Sequence, residues 1–467
     1  MTIQSKYAKL RKIIVALESR IAGGSFLVFV TQILLFPLSI LLARILLPSG
    51  RGQYALILLI PTLLVQLTDP VFGSAIVYLL GQRRYTAAQM ASVMLKMALV
   101  CGLLSVIVFQ LLMVSLPLLA WIGIEDTRNI GRLVWLSVFM TPFLLTTQYF
   151  SSILLSMKKV FEYNLLQLIL PMIEIILVIS ISLINQFSLD WAVVTYCIAL
   201  VTTSGLSVWF VKRATKFTFF TVSKTDYQLV KEAFFFGMKG YIGRICSAGG
   251  LRLDSFLISS LMDPASVGIY AIAVGLVERL WLISRSIATV LYPHIANTEE
   301  NEGVVLAAKA GRHTFLAMTL AALTLSAFSG PIILTLYGDA YRGAILALIV
   351  LAPGVVVLGM GGIVSSYITG KGHPEYGVPP AITAVIINVV LNLSLIPKYG
   401  IIGASLASTI SYSVNAVVLI VIFLRMSGAR ISELFVVRKS DLLYYKGLMV
   451  SFYQKLAQWL STKKSLQ

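Results

Sequence analysis

The chain has 467 residues, 58% hydrophobic and 12% charged, with a formal net charge of +18 and a mean hydropathy of +0.90. Soluble chains carry about twice that share of charge, so the composition excludes soluble domains and leaves a polytopic membrane protein. The basic excess requires no nucleic-acid partner, because cations gathered on one side of a bilayer set topology and attract anionic headgroups of membrane lipids.

The first apolar run, Gly23 to Leu47, follows a basic stretch holding Lys6, Lys9, Arg11 and Lys12. A secretory signal has an apolar core of roughly 7–15 residues, whereas this run can span, so it reads as an uncleaved first helix. In chain order, about twelve spans are expected. They centre near Leu35, Leu64, Leu104, Leu144, Ile175, Leu200, Arg252, Val277, Leu323, Val356, Ile387 and Val414. With both termini placed on the cytoplasmic side, roughly 25 of the 37 Lys and Arg residues fall inside and about 5 outside. Reversing the topology would invert that bias.

An inward loop at 212–233 separates six spans from six, so each half begins and ends on the same side and the halves read as parallel repeats. The resulting division is an N-terminal segment 1–22, a six-helix lobe 23–211, the loop 212–233, a second six-helix lobe 234–425, and a tail 426–467. A repeated phrase supports it: "PSGRGQYAL" from Pro48 returns as "PASVGIYAI" from Pro264, 216 positions later. Both are expected in an outward turn, with proline ending a run, glycine permitting tight geometry and tyrosine facing the water interface. In the tail, Leu442, Tyr445, Met449, Phe452, Leu456 and Trp459 recur at helical spacing, with Lys446 and Lys455 off the stripe. This pattern suits an amphipathic helix on the inner leaflet.

Cys101, Cys197 and Cys246 sit in apolar runs, and His294, His313 and His373 are scattered. No metal-ligand spacing and no phosphate-binding G-x-x-x-x-G-K-[ST] loop occurs, so no metal or cofactor is expected. Short outward connections leave no room for an external catalytic domain, which favours a transporter over an enzyme.

Ionisable residues inside spans are costly and become the functional candidates. The cations are Arg44, Lys96, Lys239, Arg244, Arg252, Arg279 and Arg285; the anions are Asp69, Glu174, Asp254 and Glu278. Counting ~1.5 Å per residue puts Arg252, Glu278, Arg279 and Glu174 near the middle of a ~30 Å core. Lys96 and Lys239 lie near inward ends, where snorkelling explains them. A guanidinium cluster partly balanced by carboxylates would suit an anionic group, because its planar fork donates two hydrogen bonds and stays charged. Neutralisation of Arg252 or Arg285 by Glu278 is the structural alternative, and a carboxyl of Asp69, Glu174, Asp254 or Glu278 could instead carry a proton. Asn388 and Asn392 share a helix face and either line a cavity or bond between helices.

The stretches "LRLDSFLISSLMDPASVGIYAIAVGLVERLWLISRSIATVLYPHIA" and "YITGKGHPEYGVPPAITAVIINVVLNLSLIPKYGIIGASLASTISY", with "LLARILLPSGRGQYALILLI", resemble the polysaccharide-exporter branch of the multidrug/oligosaccharidyl-lipid/polysaccharide superfamily. The most specific part runs from Asn388 to Ala404. The resemblance implies an all-α fold of two six-helix lobes forming a V around a cavity. It implies a Wzx-like flippase moving an undecaprenyl-diphosphate-linked oligosaccharide across the bacterial cytoplasmic membrane by alternating access. O-antigen, other lipopolysaccharide or capsule would be the product, with a polysaccharide polymerase and a chain-length regulator as partners. In that reading Arg252, Arg279, Arg285, Arg244 and Arg44 meet the diphosphate. A multidrug or cation antiporter of the same superfamily, and a membrane polysaccharide polymerase or ligase, remain as rivals.

Overall fold

A computed structural model describes residues 3–115, 129–184, 187–218, 224–296, 298 and 300–436. All regular structure among them is helical. The amphipathic stretch Leu442 to Trp459 lies outside the described residues, as does most of the outward connection "WIGIEDTRNIGR".

Each of the twelve expected centres falls within a helix. By length and composition, eight described helices can cross a membrane, or nine when the bent pair Glu302–Ala327 and Ser329–Leu336 is one span. Backbone breaks reconcile these numbers with twelve. The helix Ile3–Thr68 contains a non-helical Leu47 (φ 59°), and Val378–Ser427 contains a non-helical Gly400 (φ 58°), so each holds two spans. Lys224–Leu261 is long enough but charged along its length. On the helix Ala87–Ser115, Leu99, Leu103, Ile107 and Leu111 stand exposed at four-residue spacing. Such an apolar stripe is expected where the surrounding solvent is lipid.

The chain divides into two compact units. The first comprises Met1–Leu276, Phe328–Leu351 and Ala381–Ser411; the second comprises Val277–Ala327, Ala352–Pro380 and Tyr412–Gln467.

The first unit packs Phe72, Ile76, Met90, Met94, Leu145, Tyr149 and Phe150 into one continuous core. Small residues let its helices approach: a Cβ on Gly102 would stand 2.5 Å from Pro142 Cγ. The repeated phrase behaves differently from its expected outward turn. The helix breaks at a kink on Leu47, and Pro48 opens the following helical segment, where its missing N–H costs nothing. The second copy opens the helix Pro264–Val277, with Asp263 accepting from the Ser266 amide at 2.8 Å and from its hydroxyl at 3.0 Å.

The glycines of the phrase serve contact rather than turning. A Cβ on Gly52 would lie 1.7 Å from the Pro264 carbonyl oxygen, and one on Gly268 would lie 2.1 Å from that of Pro48. The two copies therefore press backbone to backbone, each glycine against the other copy's proline. Expected at the water interface, Tyr54 and Tyr270 are instead 5% and 1% exposed. Burial is possible because each hydroxyl finds a carboxylate, as described below.

In the second unit, Leu291, Ile295, Met360, Ile363, Tyr367 and Phe423 form the core. The short helix Ile431–Phe435 closes it, burying Leu434 fully and setting Phe435 edge-on to Phe315 at 5.0 Å. Arg312 donates to the Glu433 carbonyl at 2.6 Å, satisfying a group at that helix's end.

Candidate functional site

The second expected span is not continuous. Its helix stops at Thr68, passes through Asp69, Pro70 and Val71, and resumes as Phe72–Gly81. Proline disfavours a helical residue before it, and Val71 takes a left-handed conformation (φ 59°) that a β-branched residue adopts only under constraint. The constraint is visible in the contacts around Asp69, which has 0% exposure.

Asp69 accepts hydrogen bonds from the Phe72 amide at 3.1 Å, the Tyr149 hydroxyl at 2.9 Å and Arg244 Nη1 at 3.0 Å. Arg244 Nη2 donates to the Asp69 carbonyl and, at 3.4 Å, to that of Gln66. Tyr241 donates to the Leu67 carbonyl. Thus the helix Lys224–Leu261 supplies donors for carbonyls that the break leaves without helical partners. In a bilayer each would otherwise be costly. Close approach makes this possible: a Cβ on Gly237 would stand 1.8 Å from the Pro70 carbonyl oxygen. Arg244 keeps one buried donor, Nε, without a partner among the described residues.

Two other buried carboxylates of the first unit follow a common pattern. Tyr54 donates to Glu174 at 2.6 Å, and Arg51 lies over the Tyr54 ring at 5.5 Å. Tyr270 donates to Asp254 at 2.6 Å, and Ser408 donates to the same oxygen at 3.2 Å. Asp69, Glu174 and Asp254 are each at most 3% exposed, and each accepts from a buried tyrosine. Asn388 and Asn392 extend the last of these networks. Asn388 donates to Ser411 at 3.2 Å and Ser408 at 3.4 Å, and Asn392 donates back to Asn388. Both asparagines are fully buried.

Arg44 is exposed and donates through Nε to the Leu336 carbonyl at 2.7 Å and through Nη2 to that of Thr335, at the end of Ser329–Leu336. Arg252 is half-buried in the first unit. Lys96, expected to snorkel, pairs with Asp226 at 3.0 Å. In the second unit, Glu278 and Arg279 lie half-buried in a 3₁₀ turn, Glu278–Leu280, where a continuous helix was expected. Such a turn inside a span changes which face each side chain takes. Arg285 is exposed, with its guanidinium 5.2 Å from the Trp281 ring centroid.

Sequence reasoning singled out Asp69 and Arg244 without pairing them. It missed Tyr149 and Tyr241, aromatic residues in apolar runs that carry no spacing signal. Pro70, after an intramembrane aspartate, was the available sign of the break.

These features define a class: a polytopic membrane protein, helical throughout its described regular structure, with discontinuous spans and ionisable groups at the breaks. The family model described as "Polysaccharide biosynthesis protein" matches residues 24–299, and the chain belongs to that family. A curated relative, the "Probable low-salt glycan biosynthesis flippase Agl15" of Haloferax volcanii, is 26% identical over 34% of this chain and 36% of its own length. The matches span little more than a third of the curated relatives' lengths. Among solved structures, "Lipid II flippase MurJ, inward closed conformation" superposes with TM-score 0.71 at 18% identity, covering 88% of each chain. An inward-facing multidrug resistance MATE family transporter of the MOP superfamily gives TM-score 0.66 at 16% identity, covering 85% of this chain and 94% of that one. The chain shares its fold with these solved structures.

Proposed function

We propose that the protein is a flippase for a lipid-linked oligosaccharide in the synthesis of a cell-surface polysaccharide. The substrate would be an undecaprenyl-diphosphate-linked unit, moved by alternating access between lobes 23–211 and 234–425. The observation that carries the reading is Arg244, an intramembrane guanidinium at a broken span whose buried Nε donor has no partner among the described residues. Breaks in spans are where transporters of several folds place substrate sites, and guanidinium is the side chain suited to diphosphate. Family membership and the flippase named among the relatives support the same chemistry.

Arg252, Arg279 and Arg285 are the further cations proposed to meet the diphosphate, with Arg44 and Arg244 contributing from groups already held by carbonyls or Asp69. An arriving anion would compete with Asp69 for Arg244, coupling occupancy to the break. Asp69, Glu174, Asp254 and Glu278 are proposed to balance charge or, in one of them, to carry a proton. The cation-antiporter reading needs carboxylates free to meet a cation. Asp69, Glu174 and Asp254 are each engaged by a tyrosine, which favours the anionic substrate. Cells lacking the chain should accumulate the lipid-linked oligosaccharide on the cytoplasmic leaflet, read by mass spectrometry with a leaflet-selective glycan probe. Unchanged surface polysaccharide and no accumulated intermediate would refute the assignment.

A further inference from the structure

We propose that the groove between the Phe72–Gly81 segment and the first turns of Lys224–Leu261 binds the phosphate headgroup of an anionic phospholipid, drawn from the leaflet on the lysine- and arginine-rich side. The groove has a volume of about 630 Å³, and its walls include Tyr78, Arg84, Lys231, Glu232, Phe235 and Lys239. It lies wholly within the first unit.

Charge bookkeeping leaves it cationic. Glu232 is engaged by Arg84 Nη1 at 3.4 Å and Gln228 Nε2 at 3.2 Å. Lys231 and Lys239 are exposed and make no ion pair or hydrogen bond with any described residue. The two lysines are eight apart, about 12 Å along the axis and roughly on one face, so they form a cationic edge along the groove. Between them stands Phe235, 61% exposed, and Tyr78 stacks on Phe236 at 4.2 Å. Unpaired ammonium groups beside exposed rings suit a ligand that is anionic at one end and apolar at the other.

A dissolved anion would use the lysines and leave the rings unexplained. A phospholipid uses both, because exposed Phe234, Met238 and Ile242 continue along the same helix and offer a path for its chains. The location suggests a consequence. The same two segments are tied further along by the Gly237–Pro70 approach and the Arg244–Asp69 pair. A headgroup bridging them would stabilise that arrangement by mass action. This binding does not depend on the identity of the transported molecule.

The test uses the purified full chain in neutral detergent, titrated with phosphatidylglycerol, phosphatidylcholine or inorganic phosphate and read by native mass spectrometry. One phosphatidylglycerol should bind in preference to phosphatidylcholine. The Lys231→Gln/Lys239→Gln double variant should weaken it about 25-fold, taking a factor of about five for each lysine near a charged surface. Lys398→Gln, an exposed lysine elsewhere, should leave it unchanged. Equal retention of phosphatidylcholine, or equal weakening by Lys398→Gln, overturns the proposal. Displacement by submillimolar inorganic phosphate overturns the lipid as the source. If the double variant unfolds earlier without lipid, Lys231→Arg/Lys239→Arg must restore binding, and failure to do so also overturns it.

Discussion

Gly52 and Pro264 approach so closely that a single methyl group on the glycine would stand 1.7 Å from the proline's carbonyl oxygen. Gly268 and Pro48 repeat the relationship at 2.1 Å. No side chain can fill either contact without moving backbone. Gly52→Ala and Gly268→Ala should therefore each destabilise the protein by about 1–3 kcal/mol, the usual cost of overpacking, and together should approach loss of folding. Gly205→Ala, with nothing within 4 Å of the added carbon, should be neutral. Thermal unfolding of the purified variants in one detergent compares all three.

Asp69 and Arg244 form a pair in which the acid is fully buried and the base one-fifth exposed. Removing either partner leaves the other uncompensated. Asp69→Asn or Arg244→Gln should each cost about 3–5 kcal/mol, reduced somewhat by the arginine's remaining exposure, while the double variant should recover part of the loss. A double-mutant cycle on unfolding midpoints, with membrane abundance as a check, measures the coupling. Additive losses would show that the pair is incidental.

Tyr54, Tyr149 and Tyr270 each donate to a buried carboxylate. Replacement by phenylalanine removes the hydroxyl and little else, so each variant should lose about 1–3 kcal/mol from the unsatisfied acceptor. Tyr149→Phe should lose least, because Asp69 retains the Phe72 amide and Arg244. Equilibrium unfolding of the three variants tests the order as well as the size.

Arg252→Ala and Arg279→Ala should abolish glycan export with normal membrane abundance, measured by surface labelling of the polysaccharide and immunodetection of the protein. Lysine at either position keeps the charge but loses the planar fork, and should restore export only in part. Normal export by both alanine variants would remove these residues from the diphosphate site. Proteoliposomes with an imposed pH gradient test the carboxylates: a rate insensitive to the gradient excludes Asp69, Glu174, Asp254 and Glu278 from proton coupling.

The spans were legible because hydropathy over ~20 residues is a strong signal, and all twelve centres lie in helices. Gly400 and Gly403 mark a break and a close approach in the helix Val378–Ser427. The first has φ 58°, and a Cβ on the second would stand 2.3 Å from the Leu395 carbonyl oxygen. What escaped was pairing between distant spans. Spacing along one helix places Arg244 on a face, but only the tertiary fold brings it 175 positions back to Asp69. The tyrosines escaped for a related reason. Tyrosine is common at membrane interfaces, and nothing local distinguishes Tyr54 and Tyr270 from that use until their carboxylate partners are seen. The break at Val71 had only Pro70 as a local sign, and the donors that sustain it come from another part of the chain.

The paired proline–glycine contact is self-complementary: each copy of the phrase presents the surface that the other requires. Two identical chains related by a two-fold axis would meet in this way without further adaptation. Within one polypeptide the contact keeps the form of an isologous seam, while the residues around each copy are free to differ. That freedom is visible nearby, where the equivalent tyrosines retain their role but draw on non-equivalent acids, Glu174 in one copy and Asp254 in the other.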